Sequence, residues 1–185
     1  VMFGDVEITV AAARDLLAKA PEFDIILTPE AKSIPLAYEM SRQSGKKYFV
    51  ARKKAKLYMK DAVSVDVRSI TTDAVQTLIL DGVEGEQIRG KRVVILDDVI
   101  STGESLRAVE ILCKKFDADV VAKAAVLAES KVPDIEKKLV AIHTPVQMKT
   151  LKVSADSGIA KESSSEIASV LRMLSGTVIY FFIFM

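Results

Sequence analysis

Short apolar segments alternate with amphipathic ones along much of the chain, and this alternation limits the folds that the chain can adopt. Val and Ile dominate five short segments that predict strands: Phe23 to Thr28, Tyr48 to Ala51, Val75 to Leu80, Val93 to Leu96 and Val120 to Leu127. Apolar residues at helical spacing predict three helices: Thr9 to Ala20, Ile34 to Ser44 and Ser105 to Lys115. Because strands that alternate with helices are typical of parallel sheets, we expect an α/β fold with one doubly wound, mostly parallel sheet and flanking helices.

Charge balance and cysteine content argue against several classes of protein. The 185 residues include 26 Lys and Arg against 25 Asp and Glu, which gives no general attraction to nucleic acid or to an anionic membrane. Cys113 is the only cysteine and lies in an apolar helical pattern, so it predicts a buried structural thiol. The N-terminal residues lack a secretory signal pattern, and the apolar run from Val178 to Met185 is shorter than the ~20 residues of a membrane span. We therefore expect a cytoplasmic protein without a membrane or nucleic-acid partner.

The segment from Val93 to Ser105, VVILDDVISTGES, carries the strongest chemical signal and is called the donor motif below. An apolar strand delivers two adjacent carboxylates, Asp97 and Asp98, to its carboxyl end, and a turn of small residues leads into a helix. Backbone N–H groups and hydroxyls in that turn can face a phosphate, and the helix N-terminus favours negative charge. Two carboxylates beside such a turn suit ribose hydroxyls or a magnesium-bound sugar. The combination predicts a sugar phosphate ligand.

The donor motif resembles the phosphoribosyl pyrophosphate motif of type I phosphoribosyltransferases, in which four apolar residues precede two acids, two apolar residues and a Thr-Gly loop. The resemblance implies that Asp97 and Asp98 bind the ribose 2′ and 3′ hydroxyls, and that Asp98 also takes part in catalysis. It implies that five residues hold the 5′-phosphate: Ser101, Thr102, Gly103, Glu104 and Ser105. It further implies Mg²⁺ as cofactor, bound through the donor and water rather than directly by the protein, near Asp97.

The loop after the first predicted strand resembles a second part of that family. Residues 30–33, called the pyrophosphate loop, read Glu-Ala-Lys-Ser where adenine-type enzymes have Glu-Ala-Arg-Gly. The resemblance implies that three residues of this loop bind pyrophosphate: Ala31, Lys32 and Ser33.

A basic segment, residues 52–57, follows the second predicted strand and reads RKKAKL. It resembles the RKKGKL segment of adenine phosphoribosyltransferases, and the resemblance implies that Arg52 and Lys53 bind pyrophosphate. Because positive charge stabilises an anionic leaving group, Arg52 and Lys56 are the implied catalytic residues beside Asp98. In the family this segment reaches across a dimer interface, so a homodimer is implied.

The accepting base is inferred from two positions. Hypoxanthine-guanine enzymes carry an Asp directly before Thr-Gly, where this chain has Ser101, and a hydroxyl cannot supply carboxylate chemistry near neutral pH. Orotate enzymes continue the basic segment towards a His-Gly, where this chain has Leu57 and Tyr58. We therefore expect a phosphoribosyltransferase of nucleotide salvage that transfers the phosphoribosyl group to a purine, adenine first, and releases pyrophosphate. An orotate-type enzyme and a non-catalytic regulator that binds phosphoribosyl pyrophosphate are the alternatives.

The remaining segments fit the family pattern less closely. Lys56 to Thr72 is polar and lacks clear periodicity, which predicts a long loop. Its part from Lys60 to Thr72 corresponds in position to the loop that closes over substrate in the family. His143, the only histidine, lies in an apolar segment and predicts a structural role. The resemblance ends near residue 146, so we expect a core domain at 1–146 and a C-terminal extension at 147–185 with an amphipathic helix and an apolar tail. It begins inside the family core, so we expect the base-binding hood to be reduced or missing.

Overall fold

The computed structural model describes residues 4–68, 75–100, 103–128 and 139–143. All five predicted strands and all three predicted helices overlap observed elements of the same type. The helices among these residues are α1 (Val6–Lys19), α2 (Ile34–Ser44), α3 (Gly82–Ile88) and α4 (Glu104–Lys115). The strands are β1 (Ile25–Pro29), β2 (Lys47–Ala51), β3 (Val63–Arg68), β4 (Val75–Leu80), β5 (Arg92–Ile100), β6 (Asp119–Ala128) and β7 (Leu139–His143).

Five strands form a sheet in the order β2-β1-β5-β6-β7, and every neighbouring pair is parallel. The chain passes from β1 outward to β2 and then returns to β5 on the other side of β1, so the direction of winding reverses between β1 and β5. Ligands of doubly wound sheets bind in the crevice at such a reversal, outside the carboxyl ends of the strands. The predicted doubly wound, parallel sheet is confirmed, and its topology directs attention to the residues that follow β1 and β5.

Both faces of this sheet are covered, which explains why its strands read as continuous apolar runs. In β5, Val93 and Ile95 pack in the core that includes α4, whereas Val94 and Leu96 pack in the core that includes α1 and α2. Cys113 of α4 is fully buried in the first core, and this burial raises the pKa of its thiol to about 12. The prediction of a buried structural thiol is confirmed.

The expectation that all five predicted strands share one sheet is wrong for the segment Val75 to Leu80. This segment, β4, pairs antiparallel with β3 in a separate two-stranded sheet. The fifth strand of the main sheet is instead β7, which pairs with β6. The segment that became β7 was identified as apolar but was not recognised as a strand.

The prediction of a long loop at Lys56 to Thr72 is also wrong in part, because β3 lies inside it. Three valines of β3 alternate with polar residues, which is the pattern of a half-buried strand. Val65 is buried opposite Leu78 of β4, and both pack in the core with α4. The flanking lysines and acids conceal this short alternation when the segment is judged as a whole.

The segment between β2 and β3 is held at both ends. Arg52 and Ile79 exchange two backbone hydrogen bonds of 2.7 Å, which tie the end of β2 to the hairpin. At the other end the N–H of Gly82 donates to the Lys60 carbonyl at 2.9 Å. A Cβ atom at Gly82 would lie 2.6 Å from the carbonyl oxygen of Asp61, so this approach requires glycine. These two anchors hold the ends of the segment from Arg52 to Lys60, which contains the basic segment.

Several predictions stay untested because they fall outside the described residues. The domain boundary near residue 146, the amphipathic helix and the apolar tail belong to the residues after 143. His143 ends β7, but only its backbone is described, so its structural role stays a prediction. The reduced base-binding hood stays a prediction as well. No helix in the described ranges has the length and apolar character that crossing a membrane demands.

Candidate active site

Three loops leave the same edge of the parallel sheet, called the carboxyl edge below. β1 runs into the pyrophosphate loop, β2 runs into the basic segment, and β5 carries the two acids of the donor motif near its end. Because β1 lies between β2 and β5, these loops are neighbours. The structure therefore brings together the three segments that the sequence assigned to one ligand.

Asp97 and Asp98 lie side by side near the end of β5, and both are half-buried. The N–H of Asp98 donates to the Asp97 carboxylate at 2.9 Å. Burial, reinforced by the charge of Asp98, raises the pKa of Asp97 from 3.8 to about 7, and a hydrogen bond from Ser33 opposes this rise. A carboxyl group held in this way is sensitive to any ligand that brings hydroxyl donors or positive charge to the edge.

Gly103 starts the helix that follows the donor motif. Its φ of 78° lies in the left-handed region, which favours glycine, and it has no side chain with which to cap α4. The Arg107 N–H donates to the Gly103 carbonyl at 2.9 Å, and α4 continues from there. The N–H groups of a first helical turn point outward and favour an anion.

Two of the five predicted phosphate-binding residues, Ser101 and Thr102, lie outside the described residues, so their role stays a prediction. Gly103, Glu104 and Ser105 are placed at the N-terminus of α4, with Glu104 and Ser105 half-buried. This is the position that the predicted contact with a 5′-phosphate requires.

In the pyrophosphate loop, the three predicted residues differ in exposure. Ala31 and Lys32 are exposed, so they can meet a ligand directly. Ser33 is almost fully buried, and its hydroxyl lies 2.7 Å from the Thr28 hydroxyl and 3.2 Å from the Pro29 carbonyl oxygen. The side chain of Ser33 therefore points into the protein, and its predicted contact with pyrophosphate stays a prediction. The Glu30–Ala31 peptide bond in this loop is cis.

The basic segment meets the pyrophosphate loop at the carboxylate of Glu30. The Lys53 N–H donates to this carboxylate at 2.9 Å, and the Arg52 guanidinium lies 3.5 Å from it. The hydrogen bond from Lys53 and the charges of Arg52 and Lys56 lower the pKa of Glu30. Arg52 and Lys56 thus place positive charge near one carboxylate, and Lys53 contacts it through its backbone. Their binding of pyrophosphate stays a prediction.

Glu30 and Thr28 are the two residues of this site that the sequence interpretation did not select. A signal existed for Glu30, because it opens the segment that resembles Glu-Ala-Arg-Gly. Thr28 offered no comparable signal, since a threonine inside a Val and Ile strand is unremarkable.

The carboxylates at this edge suit a magnesium ion that arrives bound to the substrate. Within the described part of the chain, no group of three or more His, Cys, Asp or Glu side chains could hold a metal. Asp97 and Asp98 offer carboxylate oxygens, which are ligands that Mg²⁺ prefers, and Mg²⁺ keeps several waters and is often bound through substrate phosphates.

Comparisons with known proteins agree with this geometry. The family described as phosphoribosyl transferase domain matches residues 5–162 of the chain. The chain is 33% identical over 103 residues to the adenine phosphoribosyltransferase of Thermotoga petrophila, a match that covers 56% of this chain and 58% of that protein. It is 35% identical over 128 residues to the hypoxanthine/guanine phosphoribosyltransferase of Methanococcus voltae, which covers 67% of this chain and 65% of that protein. These matches span less than two thirds of each relative.

The fold is also similar to a solved structure. The crystal structure of adenine phosphoribosyltransferase from Thermoanaerobacter pseudethanolicus superposes with a TM-score of 0.64 at 21% identity, over 76% of this chain and 82% of that one. At this identity the likeness concerns the fold alone. The family match, in contrast, includes the donor motif, the pyrophosphate loop and the basic segment. The chain therefore belongs to the type I phosphoribosyltransferase family.

Proposed function

We propose that this protein transfers the 5-phosphoribosyl group from phosphoribosyl pyrophosphate to a ring nitrogen of a purine and releases pyrophosphate. One observation carries the proposal: the carboxyl edge brings together two carboxylates, the basic segment and the N-terminus of α4. These three groups match the three parts of the donor, which are a ribose, a pyrophosphate and a 5′-phosphate. Its membership of the family supports the same conclusion.

The donor would be held at three points. The ribose hydroxyls donate to Asp97 and Asp98, which are consecutive residues near the end of β5. The 5′-phosphate lies at the N-terminus of α4, where N–H groups of residues 103–105 meet it. Ser101 and Thr102 are proposed to bind it as well. The pyrophosphate lies between Lys32 of the pyrophosphate loop and the basic segment.

The chemistry follows from where charge develops. The base nitrogen attacks C1′ while the bond from C1′ to the pyrophosphate oxygen breaks, and the electron pair of that bond leaves with pyrophosphate. Arg52 and Lys56 stabilise the departing anion, and the contact with Glu30 holds Arg52 in place before the donor arrives. Mg²⁺, bound to donor oxygens and water near Asp97, would add further charge neutralisation.

Adenine is the first candidate for the accepting base, because Ser101 stands where the oxopurine enzymes have an Asp. Hypoxanthine or guanine is the second candidate, because one relative of comparable identity is a hypoxanthine/guanine enzyme. Adenine and the oxopurines differ in the proton that the protein must transfer to or from the base. A serine hydroxyl does not carry out this proton transfer near neutral pH.

Exposed apolar residues next to the basic segment support a homodimer. Leu57 is fully exposed and Tyr58 is 63% exposed, and a second copy of the chain would bury both. A cytoplasmic location belongs to the proposal as well, since a donor with so many phosphate charges does not cross a membrane unaided.

The test measures pyrophosphate release with Mg²⁺, the donor and one base at a time: adenine, hypoxanthine, guanine or orotate. We expect turnover with adenine. Turnover only with hypoxanthine and guanine would move the assignment to the second purine class, and turnover only with orotate would contradict a purine substrate. Calorimetric binding of the donor with no turnover on any base would indicate a regulator instead. No binding at all would contradict the whole proposal.

A further inference from the structure

Two buried hydroxyls lie where β1 and β5 begin to separate. The paired register of these strands runs from Ile25 opposite Val93 to Leu27 opposite Ile95. At the next position, the connection is made by a side chain: the Thr28 hydroxyl lies 2.8 Å from the carbonyl oxygen of Leu96. A side-chain hydrogen bond therefore continues the connection at the mouth of the crevice.

The second hydroxyl extends this connection to the pyrophosphate loop. Ser33, the residue directly before α2, lies with its hydroxyl 2.7 Å from that of Thr28. Thr28 is fully buried, and Ser33 is 1% exposed. Because a buried hydroxyl without a hydrogen-bond partner destabilises the folded protein, this contact favours the observed arrangement of both side chains.

Ser33 also reaches the first acid of the donor motif. It is one of the groups that oppose the rise in the Asp97 pKa. Leu96, which accepts from Thr28, is the residue directly before Asp97. The two hydroxyls therefore join the loop after β1 to the backbone of β5 at the residue directly before Asp97.

We propose that Thr28 and Ser33 are positioning residues whose buried hydroxyls lock the pyrophosphate loop to β5 at the residue directly before Asp97. The inference rests on the proposed function, because this lock would hold the groups that bind the ribose and the pyrophosphate of one donor at a fixed separation. Neither hydroxyl touches the donor. The Glu-Ala-Arg-Gly segment that the pyrophosphate loop resembles has no hydroxyl at the position of Ser33, so sequence resemblance alone does not suggest this role.

The experiment compares Thr28→Val, which keeps the shape and removes the hydroxyl, with Thr28→Ser, which restores it. Thr9→Val is the matched control, because Thr9 is another buried threonine, whose hydroxyl lies 2.6 Å from the Asp5 carbonyl oxygen in α1. Ser33→Gly is the second variant of the pair and remains informative if Thr28→Val does not fold. Two properties are measured: hydrogen–deuterium exchange of residues 29–37 in the free protein, and the kinetic constants for the donor.

In Thr28→Val and in Ser33→Gly, we expect exchange of residues 29–37 to become about tenfold faster and the KM for the donor to rise about tenfold, with a smaller change in kcat. For Thr28→Ser, the exchange rate and the donor KM should stay within about twofold of the wild-type values, because serine keeps the hydroxyl. Thr9→Val should lower the melting temperature without either effect.

Unchanged exchange at residues 29–37 in both variants would overturn the inference, and so would an equal effect of Thr9→Val on those residues. Faster exchange together with an unchanged donor KM would overturn the positioning role. The exchange measurement needs no ligand, so it tests the lock even if the wild type neither binds nor turns over the donor. In that case the proposed function fails by itself, and faster exchange still supports the structural part of the inference.

Discussion

The two edges of the parallel sheet carry charged residues in opposite ways. At the amino edge, where β1 and β5 begin, the Arg92 guanidinium lies 2.9 Å from Asp24 and 2.9 Å from Glu22. Hydrogen bonds from Arg92 lower the pKa of Asp24, and those with Asp24 and Glu22 raise the pKa of Arg92. Nearby, Arg89 pairs with Glu86 and Asp117. Every one of these charges has an opposite charge as its neighbour.

At the carboxyl edge, like charges stand together instead. Asp97 and Asp98 are adjacent, and the pKa of Asp97 is raised by burial and by its neighbour. Lys53 and Lys56 are exposed beside Arg52, whose contact with Glu30 is 3.5 Å long. Such an arrangement does not stabilise the free protein, and it becomes favourable when a ligand brings hydroxyls to the acids and phosphates to the bases. The contrast separates a stabilising edge from a binding edge within one sheet.

The largest expected effect concerns the acids. Replacing Asp97 and Asp98 together with Asn removes two charged acceptors of ribose hydroxyls, so we expect the Kd for phosphoribosyl pyrophosphate to rise about a thousandfold. The melting temperature should stay the same or increase, because the change also removes repulsion between two half-buried charges. Isothermal titration calorimetry and a thermal melt measure the two quantities.

The control for this double variant lies at the amino edge. Asp24→Asn also replaces a carboxylate by an amide, but it breaks a bond to Arg92 rather than one to the donor. It should lower the melting temperature and leave the donor Kd unchanged. If the double variant kept the wild-type Kd, the assignment of the donor motif to ribose binding would be wrong.

The second expected effect concerns the leaving group. Because pyrophosphate charge develops most as the bond to C1′ breaks, Arg52→Ala should lower kcat about a hundredfold and change the KM for the base little. Arg89→Ala is the matched control, since it removes a similarly exposed arginine from the amino edge. Steady-state assays of both variants decide the matter. Equal rises in KM for base and donor, with kcat unchanged, would contradict a role in leaving-group stabilisation.

Much of the carboxyl edge was predictable from the sequence, because its binding groups lie in local sequence patterns. The strand that becomes β5, the acids after it and the helix that follows form one continuous segment, so their order in the chain is also their order in space. The same holds for the pyrophosphate loop and the basic segment, each of which follows a strand directly. Parallel pairing then places all three at one edge.

What the sequence did not reveal depends on contacts between distant residues. The hairpin of β3 and β4 is defined by pairing across an intervening segment, and its short alternation is concealed by charged neighbours. Thr28 and Ser33 acquire their role only when β1 meets β5, which lies 68 residues further along the chain at Leu96. Glu30 opens the segment that resembles Glu-Ala-Arg-Gly, but its contacts with the basic segment form only when the loops after β1 and β2 meet.

A third, smaller effect tests the amino edge directly. Arg92→Ala removes the partner of Asp24 and Glu22, and we expect the melting temperature to fall by about 3 °C, since partly exposed ion pairs contribute modestly. Arg52→Ala at the carboxyl edge should lower it by about 1 °C or less, as its contact with Glu30 is longer. Thermal melts of both variants provide the comparison. A larger loss for Arg52→Ala than for Arg92→Ala would reverse the proposed division between the edges.

The smallest expected effect is a difference in how stability depends on pH. Asp24 has a pKa below its ordinary value in the folded protein, so its contribution is present above that value and is lost as pH falls through it. Asp97 has the opposite sign. Its pKa rises from 3.8 to about 7 on folding, so the folded state holds a proton there that the unfolded state has released. The free energy of unfolding contributed by Asp97 therefore decreases as pH rises from about 4 to about 7.

Urea denaturation at several pH values between about 3 and 8 separates these contributions when each variant is compared with the wild type. Relative to Asp97→Asn, the wild type should lose stability as pH rises from about 4 to about 7, because only the wild type must ionise a half-buried carboxyl group there. Relative to Asp24→Asn, the wild type should lose stability as pH falls below about 4, because the unfolded chain takes up a proton at Asp24 that the folded protein, with its lowered pKa, does not. The donor should reduce the first difference, since its hydroxyls stabilise the ionised form of Asp97, and it should leave the second unchanged. Parallel curves for the wild type and Asp97→Asn across that window would show that Asp97 titrates normally, and the acids of the carboxyl edge would then be no more strained than those of the amino edge.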